Sequence, residues 1–356
     1  MIKILKKPAA LNYTKSLPHI EFTSDEAEVM VKILDDGVEL ISERYNPFNA
    51  TTPVVLKFAG LLHGNQNIII PGADRITVQD QGVRNYTVQI SDSESSEELE
   101  FVAIKGFYYR QPLDLAFYTA YNWLNIGILP QSVKTHQPVY LTAYPAEPIT
   151  VKVDCVYENG TTKTFEYAKL SAGKLQTLDV SPYLVQQLSF DKLTQYTIYG
   201  NSSAGELVLR KQVFSIEHFN PLIHDFFVFE NRLGGFDSFV MSGELKDTFK
   251  NNPSNALFDD HIVEYATSPT RTILKNTGYI HSRQHRQLLI DFSFSINRYH
   301  VLDGALRRIN LKESSLDFTN NNLNEFDIEF SYSDSLLAYP KIEQAPNFLK
   351  NITILI

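Results

Sequence analysis

The chain has almost no cysteine, almost no tryptophan and little methionine, and each scarcity excludes something. Cys155 is alone among 356 residues, so no internal disulfide forms and no cysteine cluster exists for zinc. Such a protein folds in a reducing compartment or is indifferent to redox state. Positive charge is also short: 32 Lys and Arg stand against 41 Asp and Glu, a net charge of −9. That balance argues against nucleic-acid binding, which needs cations to neutralise phosphates. No apolar run approaches the ~20 residues of a membrane span. The basic start Lys3 to Lys7 is followed by mixed, polar sequence, which predicts no secretory signal.

Catalytic signatures are missing as well. There is no Gly-x-Ser-x-Gly nucleophile turn, and Leu233-Gly234-Gly235 has neither a dinucleotide-binding nor a phosphate-loop continuation. His281 and His285 lie four apart, but no Glu follows the first and no third ligand is in view, so they read as exposed histidines. Asp259-Asp260-His261 pairs carboxylate with imidazole but has no partner nucleophile, and reads as a solvated loop. Cys155 falls on the apolar phase of an alternating strand, which predicts a buried, inert thiol. The acidic run 91–98 lacks the mid-loop Gly and oxygen spacing of a calcium loop and reads as a hairpin tip. Arg271, Lys275, Arg283, Arg286, Arg307 and Arg308 enrich the last third in basic residues, either as a patch for an acidic partner or as ordinary surface charge. The expectation is a chain that is not an enzyme, with no catalytic, cofactor-binding or metal residues.

What the chain does have is 23 Phe and 19 Tyr, side chains suited to pleated surfaces. Val29, Val31 and Ile33 alternate with polar residues, Asp36-Gly37 turns, and a second strand follows. A Tyr86-Thr87-Val88 strand, the polar run and a strand at 99–104 complete the block. The same order returns with Ile149, Val151, Val153, Cys155 and Tyr157, the Asn159-Gly160 turn, then Tyr196-Thr197-Ile198 and a long strand at 207–216. This predicts a duplicated Ig-like β-sandwich, the fold class being mainly all-β. Two unrelated β-domains with common hairpin signals are the alternative.

The expected domains are a first sandwich at 1–108, a connector at 109–130 that is one short helix or extended, a second sandwich at 131–218, and a β-rich region at 219–356. In that last region strands are expected near 226–231, 238–242, 272–274, 288–296, 307–311 and 326–332. Residues 252–260 read as a loop and Asn320-Asn321-Asn322 as a turn. Asn231, Gly234, Gly235 and Asp237 form the candidate structural turn between the first two of those strands. Residues 351–356 are apolar, in the manner of a strand added to a neighbour or to the chain's own sheet.

The stretch 227–243 runs through Glu230-Asn231-Arg232-Leu233-Gly234-Gly235-Phe236-Asp237-Ser238 to Ser242-Gly243. It resembles a segment of uncharacterised virion structural proteins, of tail or baseplate type, from Bacteroidetes phages and prophages. Gln137-Pro138-Val139-Tyr140, Thr277-Gly278-Tyr279 and Leu288-Leu289-Ile290-Asp291 are similar to the linker and the C-terminal portion of that group. Ser238 stands where a Thr is more usual there. The resemblance implies a non-enzymatic assembly component of a virion or tail, made in the host cytoplasm. It implies other virion or tail subunits as partners, and self-association, with no catalytic residues to carry over. The alternative is a carbohydrate-binding or adhesion sandwich with a glycan partner, for which a single Trp is thin support.

Overall fold

The computed structural model describes residues 1–333 apart from 73, 109–113, 128–129, 218–223, 259–260, 281, 313–315 and 320–323. The triple Asn at 320–322, residues 351–356, Asp259, Asp260 and His281 therefore lie outside the described residues. The fold is mainly β, with Ig-like sandwich modules in tandem followed by further β structure.

The first block supplies β1 (Lys3–Lys6), β2 (Leu11–Tyr13), β3 (Ile20–Thr23), β4 (Val29–Asp35), β5 (Val38–Tyr45), β6 (Val54–Leu56), α1 (Ala59–Asn65), β7 (Ile76–Val78), β8 (Val83–Ser91) and β9 (Ser96–Ile104). Alternation places Val29, Val31 and Ile33 inward, and the β4–β5 turn is made by Asp36 (φ 47°) and Gly37 (φ 84°). Positive φ at both central residues matches the right-handed twist of the strands it joins. The second block follows α2 (Leu115–Tyr121). It comprises β10 (Gln131–Lys134), β11 (Tyr140–Ala143), β12 (Ile149–Tyr157), β13 (Thr162–Leu170), β14 (Gln176–Asp179), α3 (Pro182–Gln186), β15 (Leu193–Asn201) and β16 (Leu207–Glu217). In α2 the Asp114 carboxylate accepts from the Phe117 N–H, the cap that starts the connector helix.

The two blocks are built alike. One large sheet runs β2-β9-β8-β4-β5 and the other β10-β16-β15-β12-β13. In each the first strand is parallel to its neighbour and the rest are antiparallel. The small sheets differ in one respect. The first is β1-β3-β6, whereas the second is β11-β14-β7, so a strand from the first block completes the second block's sandwich. Each sandwich has its own core, Ile20, Phe22, Val88 and Ile90 among the first, Val151, Cys155, Tyr196 and Phe214 among the second.

Further along are β17 (Asp225–Glu230), β18 (Phe236–Met241), β19 (Leu245–Phe258), β20 (His261–Asn276), α4 (Arg283–Phe294), β21 (Arg298–Leu302), β22 (Ala305–Leu311) and β23 (Asp327–Tyr332). By spatial proximity the chain forms two compact units. The first joins Met1–Asn220 with Val228–Phe239 and Ser282–Ile296; the second takes Pro221–Phe227, Val240–His281 and Asn297–Ile356. In the second unit, strands follow one another in the order β21-β22-β23-β20-β19, with the start of β17 beside β21.

Two sequence expectations are corrected. The stretch 288–296, read as a strand, lies mostly in α4, whose Ser282 hydroxyl accepts from the His285 N–H. Leu288, Leu289 and Phe292 share the buried face of that helix, and their spacing of one and four residues suits a helix as well as an apolar strand. The stretch 252–260, read as a loop from its Asn, Pro and Ser, continues β19 to Phe258. A continuous pairing with β20 overrides the turn-like composition.

Candidate functional site

The Asn231–Asp237 turn is the most elaborately built polar site of the first unit. Gly234 has φ +84°, and a Cβ there would stand 2.4 Å from the Lys105 carbonyl oxygen. A Cβ on Gly235 would stand 2.5 Å from the Leu124 carbonyl oxygen and 2.7 Å from Thr142 Oγ1. Only glycine allows such a φ at Gly234 and such close approaches at both positions. The turn thus enters between the end of the first block, the connector and β11.

Side chains fix it there. The Asn231 oxygen accepts from the Leu233 and Gly235 N–H groups at 2.8 and 3.0 Å. Its amide nitrogen donates to the Leu124 carbonyl at 3.0 Å and to Asp237 Oδ2 at 2.7 Å. Asp237 also accepts from the Ile126 N–H at 2.9 Å and from Asn125 Nδ2 at 3.1 Å. Asn125 donates onward to the Tyr140 and Phe236 carbonyls, and its oxygen accepts from the Thr142 N–H. Ser238 donates to the Pro138 carbonyl and accepts from Gln137 Nε2 at 3.1 Å. Leu233 packs with Tyr13, Ile104, Leu115, Leu124 and Leu175, an apolar cluster drawn from both blocks. The Tyr13 hydroxyl donates to the Leu233 carbonyl at 3.1 Å.

Asp237 is 4% exposed, and burial raises its carboxyl above the usual range despite the donors around it. Nearby, Arg232 pairs with Asp291 of α4 at 3.0 Å. Burial pushes Asp291 up to about 6, with Arg232 opposing. Asn231 and Asp237, at the two ends of this turn, are the centre of a buried network joining the two sandwiches. Both carboxylates are buried, Asp291 at 5% exposure.

In the second unit a buried charge cluster gathers at Asp225. Its oxygens meet Lys275 Nζ at 2.6 Å and His300 Nε2 at 3.0 Å, and His300 Nδ1 meets the Tyr332 hydroxyl at 2.9 Å. Lys275 also donates to the Gly243 carbonyl at 2.8 Å. Burial works against the Asp225 anion, but hydrogen bonds from His300 and Lys275 win and lower its pKa. Lys275 and His300 are 0% and 1% exposed, with His300 stacked between Phe227 and Tyr332. Bonded at both nitrogens and packed between aromatic rings, His300 ties β17, β21 and β23 together.

The other candidates disperse. Cys155 is buried, and burial pushes its thiol up to about 11, far from a thiolate. His285 lies on α4 beside the Phe239 ring. The acidic run ends in a tight turn in which Asp92 Oδ1 accepts from the Glu94 and Ser95 N–H groups. Of the basic residues, Lys275 is consumed inside the second unit, Arg271 grips Asp247 through two nitrogens, and Arg307 lies 4.0 Å from the centre of the Tyr332 ring. Arg283 and Arg286 belong to α4 of the first unit. Among the described residues, no group of three or more His, Cys, Asp or Glu is placed to hold a metal ion. No helix of the described residues is long and apolar enough to cross a membrane.

The second unit also carries an arm. β19 and β20 pair without a break in partners from Leu245↔Lys275 to Phe258↔His261, with one bulge at Ser254. β23 accompanies β20 only from Ile273 to Asn276. Sequence reasoning missed this arm because Pro253, Pro269 and the Asn cluster 251–252 look like loop residues.

No family model matches the chain, and no curated protein matches it. Among solved structures, it is similar to invasin, a bacterial integrin-binding protein, at 10% identity over 78% of this chain, TM-score 0.25. The match spans 56% of the length of the invasin chain. The YadV chaperone is similar at 10% identity over 60% of this chain and 98% of its own, TM-score 0.19. The titin A168–A169 pair is similar at 9% identity over 61% of this chain and 98% of its own, TM-score 0.22.

Proposed function

We propose that the protein is a non-enzymatic assembly subunit that binds its neighbours through extended backbone, in a virion, tail or related particle. The observation that carries this reading is the β19–β20 arm. From Thr270 outward to His261, β20 pairs with no strand but β19 among the described residues, a reach of ~30 Å at ~3.3 Å per residue. A two-stranded ribbon of that length is at best marginally stable alone. Ordering it becomes favourable when another subunit covers a face or adds a strand to an edge. Pro253 and Pro269 remove donors from both strands, which restricts where an incoming strand can pair and guards against indiscriminate aggregation.

Adhesion through glycan binding is the second reading, and the one Trp does not serve it. Trp123 is 1% exposed and its indole donates to the Arg210 carbonyl at 2.9 Å. The exposed Phe117 and Tyr121 rings, 5.0 Å apart on α2, are the platform that reading would need.

The test shortens the arm, replacing residues 250–270 by an Asn-Gly turn in the full chain, and measures mass by light scattering across concentration. The expected result is a wild-type protein that associates and a shortened protein that stays monomeric with an unchanged melting temperature. A wild-type protein monomeric at every concentration, alone and with its co-expressed neighbours, refutes the reading.

A further inference from the structure

Asp225 opens β17, Lys275 stands near the end of β20, and both lie in the second unit. In the sheet, β21, β22 and β23 stand between those two strands. Four interstrand steps would part them by ~19 Å if the sheet were flat. Their 2.6 Å contact therefore requires a sheet curled until side chains meet across it.

Lys275 is the one lysine among the described residues that is wholly buried. Lysine is rarely buried to that degree, and a buried ion pair adds little net stability over apolar residues of the same volume. The surroundings do more than neutralise it. The Gly243 carbonyl takes one Nζ proton at 2.8 Å and Asp225 Oδ2 another at 2.6 Å, which fixes where the nitrogen points. At that separation Nζ stands within about 3.5 Å of the carboxyl carbon, the distance of a near-attack conformer. His300 Nε2 donates to the other oxygen, Oδ1, at 3.0 Å, and the Tyr332 hydroxyl holds the ring at Nδ1. Phe227 and Phe330, both wholly buried, close on the face and edge of the imidazole. Asp225 keeps an opening to solvent, its side chain 19% exposed.

We propose that Lys275 and Asp225 condense into an intramolecular amide, a covalent cross-link between β20 and β17 that the chain makes by itself. The step starts when Nζ passes a proton to Oδ2 along their hydrogen bond. The freed lone pair attacks Cγ, and the charge gathering on Oδ1 is met by the His300 N–H already aimed at it. A proton then moves from the nitrogen to the Oδ2 hydroxyl, which leaves as water through the opening at Asp225. One C–N bond forms, one C–O bond breaks, and nothing is oxidised or reduced. The first proton transfer runs against the lowered pKa of Asp225, so the bond forms slowly. It forms once per chain, and the packed rings keep out the water that would hydrolyse it. The cross-link stands apart from the assembly reading, since a monomer makes it equally. It adds strength: β20 carries the arm, and a pull on the arm reaches β17 through the amide instead of peeling the ladders between them.

The test is the mass of the full chain after denaturation, followed from cell-free synthesis onward, with tryptic peptides mapped at each time. The expected product is one water lighter than the sequence and uncut after Lys275, with the peptides of Asp225 and Lys275 joined. Lys275→Arg keeps the positive charge, cannot form the amide, and is expected at full mass whether or not it folds. His300→Phe, its fold checked by circular dichroism, is expected to form the link about 100-fold more slowly. A wild-type chain that folds and stays at its sequence mass overturns the proposal. So does a lost water with no joined peptides, as a succinimide at Asp36-Gly37 would give. A link formed at the wild-type rate in His300→Phe overturns the role of His300.

Discussion

At the scale of single residues, the chain spends its unusual chemistry on fixing a junction. Gly234 combines positive φ with a carbonyl 2.4 Å from where a Cβ would sit. Gly234→Ala is therefore expected to destabilise the first unit by about 2–5 kcal/mol, read as a fall in its melting temperature, because strain and overpacking act together. Replacement of the exposed Gly205, which shares a positive φ but has open space around it, should cost far less. The buried Asp291 gives a pH signature. Its folded pKa, pushed up to about 6, lies above the unfolded value near 3.9, so the native state holds more protons between those values. Its contribution is fully present below about pH 4 and is lost as pH rises through 6, a swing of about 3 kcal/mol at most. Thermal unfolding of Asp291→Asn against wild type at pH 4 to 7 should show the wild type losing ground as pH rises. A difference that is flat with pH would remove this account.

At the scale of elements, legibility tracked how local the cause was. The Asp36-Gly37 hairpin and the buried alternation of β4 and β12 are set by neighbours in sequence, and they stand where the residues put them. The order of the duplicated strands was readable for the same reason. The helix α4 was not, since three apolar residues on a helix face and three in a strand look the same when the partners, Phe229 and Phe239, come from a distant hairpin. Likewise Asn231 and Asp237 look like ordinary turn residues until Asn125 and the Ile126 N–H close on them from over 100 positions away. β7 was invisible because its partner is β14 and nothing near Ile76 announces it. Arg75 beside it makes the coupling testable. Arg75→Ala removes a hydrogen bond and a ring contact that both belong to the second sandwich, a loss of about 1–2 kcal/mol. Hydrogen exchange should quicken at β13 and β14 and not at β4 and β5, although the mutated residue lies in the first block.

At the scale of the whole chain, two sandwiches with large sheets of like strand order differ in how their small sheets are completed. The first unit holds two sandwiches of the same strand order, one closed by a borrowed strand and one with an open edge. The turn at 231–237 and the apolar cluster around Leu233 tie both to a hairpin that arrives late in the sequence. The second sandwich is thus not complete by its own stretch of chain, and the charge cluster around Asp225 shows the second unit built from residues 75 positions apart.

The borrowed strand also imposes a timetable. Val78 leaves the ribosome roughly 100 residues before Gln176, a wait of about 5–20 s at ordinary rates of synthesis. Throughout that interval Ile76 and its neighbours have no β14 to join, while the first sandwich gains its last strand, β9, by Ile104 and can fold. The early sandwich must therefore fold while leaving free a strand cut from its own middle, between α1 and β8. A nascent chain whose β6 edge is open at the same moment has β7 close at hand in sequence as a wrong but chemically similar occupant. Correct folding then depends on the second sandwich reclaiming β7, and slowing translation ahead of β14 would be the surest way to raise the fraction of chains that fail.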